Sequence, residues 1–412
     1  MTGLRKIVQN SGIYFFSTII GKSLLFFLGI FLTRYFTTEE LGVWSHLFSV
    51  VSITTIFASL NSGIFFLTNR FKFDEQKFKE YFSGIHSLLL VTSLLATVIV
   101  FLLKDWLLPK GLEVNLGFFL LFVFFVFICG LRQLYDSILQ VEKQVGEGVF
   151  SQFLHSIFVF FVTVLLVMQI DEKWEYRFYA EVFGVLVNVI VQAVYLRRFF
   201  YPNLILNFSE FKEIGGFLSP LAFHFLGFLL ITNTDKIMLG HMIGSSEVGI
   251  YGTAFLFSAI LVILYDSIIK AWQPYFFEKS EVMDDQTKKS VTKFTKFYYL
   301  GSVALFLVYT SVIYLIFPSL VGKDFIGARA LMPYLCFGAL LEGLRKIHVN
   351  FFYLHKKTSE LGLFGFTAGI LNIILNYLMI KNFGIMGCAY ASILSYFILY
   401  MLTLVRSRKL FK

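Results

Sequence analysis

The residues that could do chemistry in this chain are few, and the most telling are cations set inside apolar runs. Two related stretches carry an arginine at the same place. GLRQLYDSILQVEKQVGE begins at Gly130 and GLRKIHVNFFYLHKKTSE at Gly343. Gly130, Leu131, Arg132, Lys143 and Glu147 fall on Gly343, Leu344, Arg345, Lys356 and Glu360 at a constant offset of 213. Lys346 follows Arg345 directly, and Lys22 stands near the middle of the first apolar run. A charge deep in a bilayer is costly, so it generally faces a protein interior or a wet path. Guanidinium is permanently charged and holds phosphate oxygens through paired N–H donors. Lys22, Arg132, Arg345 and Lys346 are therefore the candidates for binding an anionic, phosphate-bearing substrate. Local neutralisation is the competing reading, because Arg132 with Asp136, and Glu342 with Lys346, are spaced i,i+4 on one helix face. Asp266 and Lys270 have the same spacing and read as a structural pair.

The carboxylates Asp136, Glu181 and Glu342 are the candidates for a coupling cation or proton. Glu181 sits a few residues inside its run, where a solvated interfacial carboxylate is expected. Pro220 follows Gly215 and Gly216 and predicts a bend suited to gating, since proline removes a backbone hydrogen bond. His155, His224 and His348 read as hydrogen-bonded core residues, and Asn61, Asn372 and Asn376 as links between helices. The cysteines Cys129, Cys336 and Cys388 are too scattered for a metal motif and read as packing residues, so no metal site is expected. No phosphate-binding loop, nucleophile elbow or H-E-x-x-H motif occurs. The chain thus reads as no enzyme. No cofactor is expected, and a substrate gradient or a coupling Na+ or H+ gradient would drive it.

The elements that position these residues follow from composition. Of 412 residues, 57% are hydrophobic and 15% charged, and there are 53 phenylalanines; mean hydropathy is +0.76. A soluble domain rarely goes so far above half apolar. Runs of about 20 apolar residues can cross a membrane, and about twelve such spans can be drawn. They are Ser11–Thr33, Leu41–Leu67, Ser83–Leu103, Leu116–Leu139, Val149–Ile170, Tyr176–Leu196, Gly216–Asn233, Val248–Ile269, Phe297–Phe317, Ala330–Leu354, Leu361–Ile380 and Ile385–Val405. The expected fold is an all-α polytopic membrane protein, because lipid offers no partner to free backbone groups. Most lysines and arginines fall on one side if both termini are cytoplasmic; Arg177 and Lys236 fall in gaps on the other. The formal charge of +9 then reflects the inner gaps rather than nucleic-acid binding. In one of them, Lys279–Lys296, a mixed charge run reads as an amphipathic helix on the anionic leaflet. Spans four and ten run inward, so Arg132, 16 residues past Leu116, is roughly 24 Å down its helix.

A second echo divides the chain. Glu40, Gly42, Trp44 and Phe48 match Glu247, Gly249, Tyr251 and Phe255 at an offset of 207. Two lobes follow, residues 1–205 with spans one to six and residues 206–412 with spans seven to twelve. An even number of spans between copies gives both the same orientation, a parallel repeat.

Three motifs carry a resemblance. TRYFTTEELGVW begins at Thr33, TDKIMLG with VGIYGTA runs from Thr234, and LNIILN with GIMGCAYASILS runs from Leu371. Together they resemble the Wzx-like oligosaccharide-lipid flippases of the MATE/oligosaccharidyl-lipid/polysaccharide exporter superfamily. The resemblance implies a V-shaped, MATE-like pair of six-helix lobes in a bacterial inner membrane. It implies a substrate of undecaprenyl-pyrophosphate-linked oligosaccharide, flipped outward for surface polysaccharide such as O-antigen or capsule. Membrane lipids, a polysaccharide polymerase and chain-length proteins would be partners. A MATE-like drug or cation antiporter is the alternative, kept open by the intramembrane acids. A membrane polymerase or acyltransferase would resemble proteins with a long outer loop or a buried catalytic histidine motif, and the outer gaps here are short.

Overall fold

A computed structural model describes residue 21 and residues 23–60, 62–70, 73–169, 173–200, 214, 216, 227, 229–279 and 284–411. Among these residues the fold is helical, without strands. The helices are α1 (Ser23–Tyr35), α2 (Thr38–Ser59), α3 (Ser62–Asn69), α4 (Glu75–Leu102), α5 (Lys104–Leu107), α6 (Leu116–Val141), α7 (Val145–Gln169), α8 (Trp174–Leu196), α9 (229–242), α10 (Ser245–Lys279), α11 (Asp285–Leu320), α12 (Ala328–Leu354), α13 (Thr358–Phe383) and α14 (Ile385–Phe411). Nine of them are long and apolar enough to cross a membrane: α2, α4, α6, α7, α8, α10, α11, α13 and α14. The chain is a multi-pass membrane protein. α12 is as long, at 27 residues, but its charges lower its apolar character. Expected spans one and seven lie in large part outside the described residues, together with Lys22, Asn61, Pro220 and His224.

Helix ends follow local chemistry. Asp74, Asn115 and Asp284 cap α4, α6 and α11 by accepting a bond from the backbone N–H of Lys77, Phe118 and Thr287, an effect of about 1 kcal/mol each. The second expected span is not one rod. Leu60 has φ +46°, a left-handed conformation that ends α2 before α3 begins. The charged run Lys279–Lys296 is mostly a helical extension of α11, whose 36 residues begin at Asp285.

The chain forms two compact units, one drawn from Met1–Phe31 and His46–Ala222, the other from Leu32–Ser45 and Phe223–Lys412. In the first, α6 packs against α3, α4, α7 and α8. Phe66, Phe78, Phe82, Phe122 and Phe125 are fully buried there. In the second, α12 packs against α10, α11, α13 and α14. The two helices that carry the repeated arginines are thus the hubs of their units.

The duplication extends to backbone and contacts. Lys143 and Lys356 both adopt left-handed conformations, with φ +60° and +54°. At the first, Gln144 N–H bonds to Leu139 C=O and Lys143 N–H to Gln140 C=O; at the second, Lys357 N–H bonds to Phe352 C=O and Lys356 N–H to Tyr353 C=O. This is the same Schellman ending twice, built without glycine. His86 Nε2 lies 2.8 Å from the Tyr135 hydroxyl. At an offset of 213, Tyr299 and His348 make the equivalent contact with the two residue types exchanged, at 2.5 Å. Within the second unit, Gly42 and Gly249 meet reciprocally. A Cβ on Gly42 would lie 1.6 Å from Ser245 O, and one on Gly249 2.0 Å from Thr38 O. Positions 38 and 245 are themselves related by the offset of 207.

Candidate functional site

The repeated arginines occupy equivalent positions in unlike electrostatic settings. In the second unit, Arg345 Nε and Nη2 donate to the two carboxylate oxygens of Glu342, each at 2.7 Å. The Arg345 side chain is 16% exposed and Glu342 4%. Glu342 therefore neutralises Arg345, at i,i+3, and not Lys346. Lys346 Nζ instead pairs with Asp266 of α10 at 2.5 Å. That also replaces the expected Asp266–Lys270 pair. The four charges sum to zero.

The first unit keeps the arginine and lacks these acids. At the offset of 213, Glu342 corresponds to Cys129 and Lys346 to Gln133; at 207, Asp266 corresponds to Ser59. The contact between the last two survives as a hydrogen bond from Ser59 Oγ to Gln133 Oε1, 3.0 Å. Asp136, one turn beyond Arg132, accepts bonds from Gln192 Nε2 at 2.6 Å and Gln152 Nε2 at 3.3 Å. Among the described residues Arg132 has no carboxylate within ion-pair distance, and its Nε is buried without a hydrogen-bond partner. The expected Arg132–Asp136 ion pair is not formed; Asp136 is instead hydrogen-bonded by two amides from α7 and α8.

Glu181 departs from the expected solvated carboxylate. It is buried, with Arg177 Nη1 at 2.8 Å and His155 Nε2 at 3.3 Å, both also buried. Arg177, counted with an outer gap although it stands at the start of span six, and Lys236 are likewise buried; α9 extends past the expected end of span seven and carries Lys236 with it. Gly184 makes room for this cluster, since a Cβ there would lie 2.4 Å from Val159 Cγ2. Asn188, fully buried along the same face of α8, has an amide with no partner among the described residues.

Sequence reading missed Asp235 as a site. It is buried, with its carboxylate bonded by the Tyr251 hydroxyl. Lys236 beside it stacks over the Phe255 ring at 4.2 Å. The TDKIMLG motif contained this signal, and Tyr251 and Phe255 belong to the second echo. Asn376 Nδ2 bonds to Asn372 Oδ1 at 2.9 Å, and Asn372 Nδ2 to Ser395 Oγ of α14 at 3.1 Å. His348 joins Tyr299 to Ser407.

The chemistry on offer is thus, among the described residues, a guanidinium in the first unit with no carboxylate in ion-pair contact and a self-neutralised quartet in the second. Comparisons with solved structures agree on the fold. The lipid II flippase MurJ, in an inward closed conformation, superimposes with a TM-score of 0.74 at 12% identity, covering 97% of this chain and 88% of that chain. An inward-facing multidrug resistance MATE family transporter of the MOP superfamily gives 0.70 at 12% identity, covering 94% of each chain. At that identity the likeness speaks for the fold. In sequence, the capsular polysaccharide biosynthesis protein CapF of Staphylococcus aureus is 22% identical over 423 aligned residues, covering 95% of this chain and 97% of its own. Residues 7–280 match the family described as polysaccharide biosynthesis protein. On that match, which covers more than half of its length, the chain belongs to the polysaccharide biosynthesis protein family.

Proposed function

We propose that this protein flips a polyprenyl-pyrophosphate-linked oligosaccharide from the cytoplasmic to the outer leaflet by alternating access, for surface polysaccharide assembly. The observation that carries this reading is Arg132, a half-buried guanidinium on the hub helix of its unit with no carboxylate partner among the described residues. A permanent cation at that depth is costly unless an anion or water meets it. A pyrophosphate supplies oxygens that match its paired donors. Family membership supplies the biosynthetic setting.

In this reading Arg345 is a structural partner of Glu342 until a competing anion displaces the carboxylate, and Lys346 stands likewise to Asp266. A drug or cation antiporter would instead need an acid free to meet its cargo. Asp136, Glu181, Glu342 and Asp266 are each held by amide, arginine, histidine or lysine partners. An H+ or Na+ gradient remains the proposed source of energy: a proton or Na+ is small enough to exchange for one partner at Asp136, Glu181 or Glu342, which a drug-sized cation is not.

The test is complementation of a deletion strain. Arg132→Gln should abolish surface polysaccharide while the protein stays at normal abundance in the membrane. Arg132→Lys, which keeps the charge but loses the fork, should restore part of it. Wild-type polysaccharide from Arg132→Gln would overturn the assignment.

A further inference from the structure

We infer that the amino-terminal third of α11 is a loading surface for the diphosphate head of a lipid, lying on the lipid-facing side of the second unit. The inference rests on the proposed function for the identity of that lipid. α11 has 36 residues and so rises roughly 54 Å, well beyond the roughly 30 Å hydrocarbon core. Several of its turns must stand outside the core. The positive-inside bias assigns the amino-terminal end to the cytoplasmic side, where lipid-linked sugars would be made.

One face of this segment is anchored. Val291 and Tyr298 are buried, and Phe294 stacks on Trp272 of α10 at 3.6 Å. The opposite face carries Lys289, Lys293 and Lys296, spaced i, i+4 and i+7 and all exposed. The same stripe runs on through Leu300, Val303 and Leu307, which are 70%, 40% and 56% exposed. A lipid chain lying along those three side chains would bring its head group to Lys296.

An open cavity of about 400 Å³ is lined by Asp285, Lys288, Lys289, Thr292, Lys293 and Lys296. Among the described residues its lining sets three exposed lysines, Lys289, Lys293 and Lys296, against one aspartate. Among the described residues no ion pair is made by Lys289, Lys293 or Lys296. Like charges at i,i+4 destabilise a helix, and cations near its amino terminus oppose the macrodipole. A bound anion reverses both penalties. A free anion would have no use for the apolar stripe that continues from the lysines. A phosphodiester head offers one negative charge and a diphosphate linkage two, which is the closer match to the three exposed lysines against one aspartate.

The test uses the full-length protein in phosphatidylcholine nanodiscs, with polyprenyl diphosphate as the probe and native mass spectrometry as the readout. The wild type should retain the probe. In an Arg132→Gln background, which removes the other proposed diphosphate contact, the triple variant Lys289→Gln, Lys293→Gln, Lys296→Gln should weaken binding about a hundredfold. The corresponding triple arginine variant should restore it, which a folding defect would not allow. Phosphatidylglycerol and inorganic pyrophosphate should each compete at least about tenfold more weakly than the probe. Unchanged binding by the glutamine variant, failure of the arginine variant, or equal competition by either rival would overturn the loading surface. The polysaccharide readout of Arg132→Gln is independent of these outcomes, so the lysine surface and the flippase reading can fail separately.

Discussion

Arg132 and Arg345 show how one side chain three residues away can decide what an arginine does. Burying a bidentate ion pair ties up both charges, and removing one partner alone costs about 3–5 kcal/mol because the other is left buried. Glu342 imposes that condition on Arg345; Cys129 does not impose it on Arg132. Cys129→Glu should therefore recreate the caged pair in the first unit. The expected outcome is a folded, membrane-inserted protein that no longer supports surface polysaccharide, measured in the deletion strain. Full polysaccharide from this variant would mean that Arg132 does not need to be free.

At the scale of elements, each hub helix ends in a left-handed lysine. A side chain in that conformation costs roughly 1–2 kcal/mol relative to the right-handed region, and glycine avoids the clash. The chain has lysine at both positions, Lys143 and Lys356. Lys356→Gly should raise the thermal midpoint of the purified protein, by an amount equivalent to roughly 1 kcal/mol. A lowered midpoint would show that the lysine side chain contributes more than its backbone conformation costs. The reciprocal packing of Gly42 and Gly249 is a different case, because there backbone contacts leave no room for any Cβ.

For the whole molecule, duplication gives two units with equivalent hubs and unequal charge. Contacts persist while their chemistry changes: Asp266–Lys346 is an ion pair where Ser59–Gln133 is a neutral bond, and the His–Tyr pair exchanges its members. The topology that orients both units can be tested by labelling intact cells with a membrane-impermeant maleimide. Background is expected to be low, since Cys129, Cys336 and Cys388 are all buried. Lys110→Cys and Lys323→Cys should react from outside, and Lys409→Cys should react only after permeabilisation. The reverse pattern would invert the orientation on which the loading surface depends.

The amino-acid sequence by itself determined the class, the duplication and the family. Those depend on run length, constant offsets and short motifs, all of which are local along the chain. It also marked the hub helices, because charges inside apolar runs are conspicuous. Only the tertiary structure decided the partner of each charge. Spacing along one helix offered Asp136 to Arg132 and Glu342 to Lys346. The fold instead brought Gln192 to Asp136 across 56 positions and Asp266 to Lys346 across 80. The closest opposite charge in sequence is one neighbour among several once helices pack, and burial favours whichever donor can satisfy the carboxylate most fully. Among the described residues Arg132 is left with no carboxylate in ion-pair contact, while Arg345 is neutralised by Glu342.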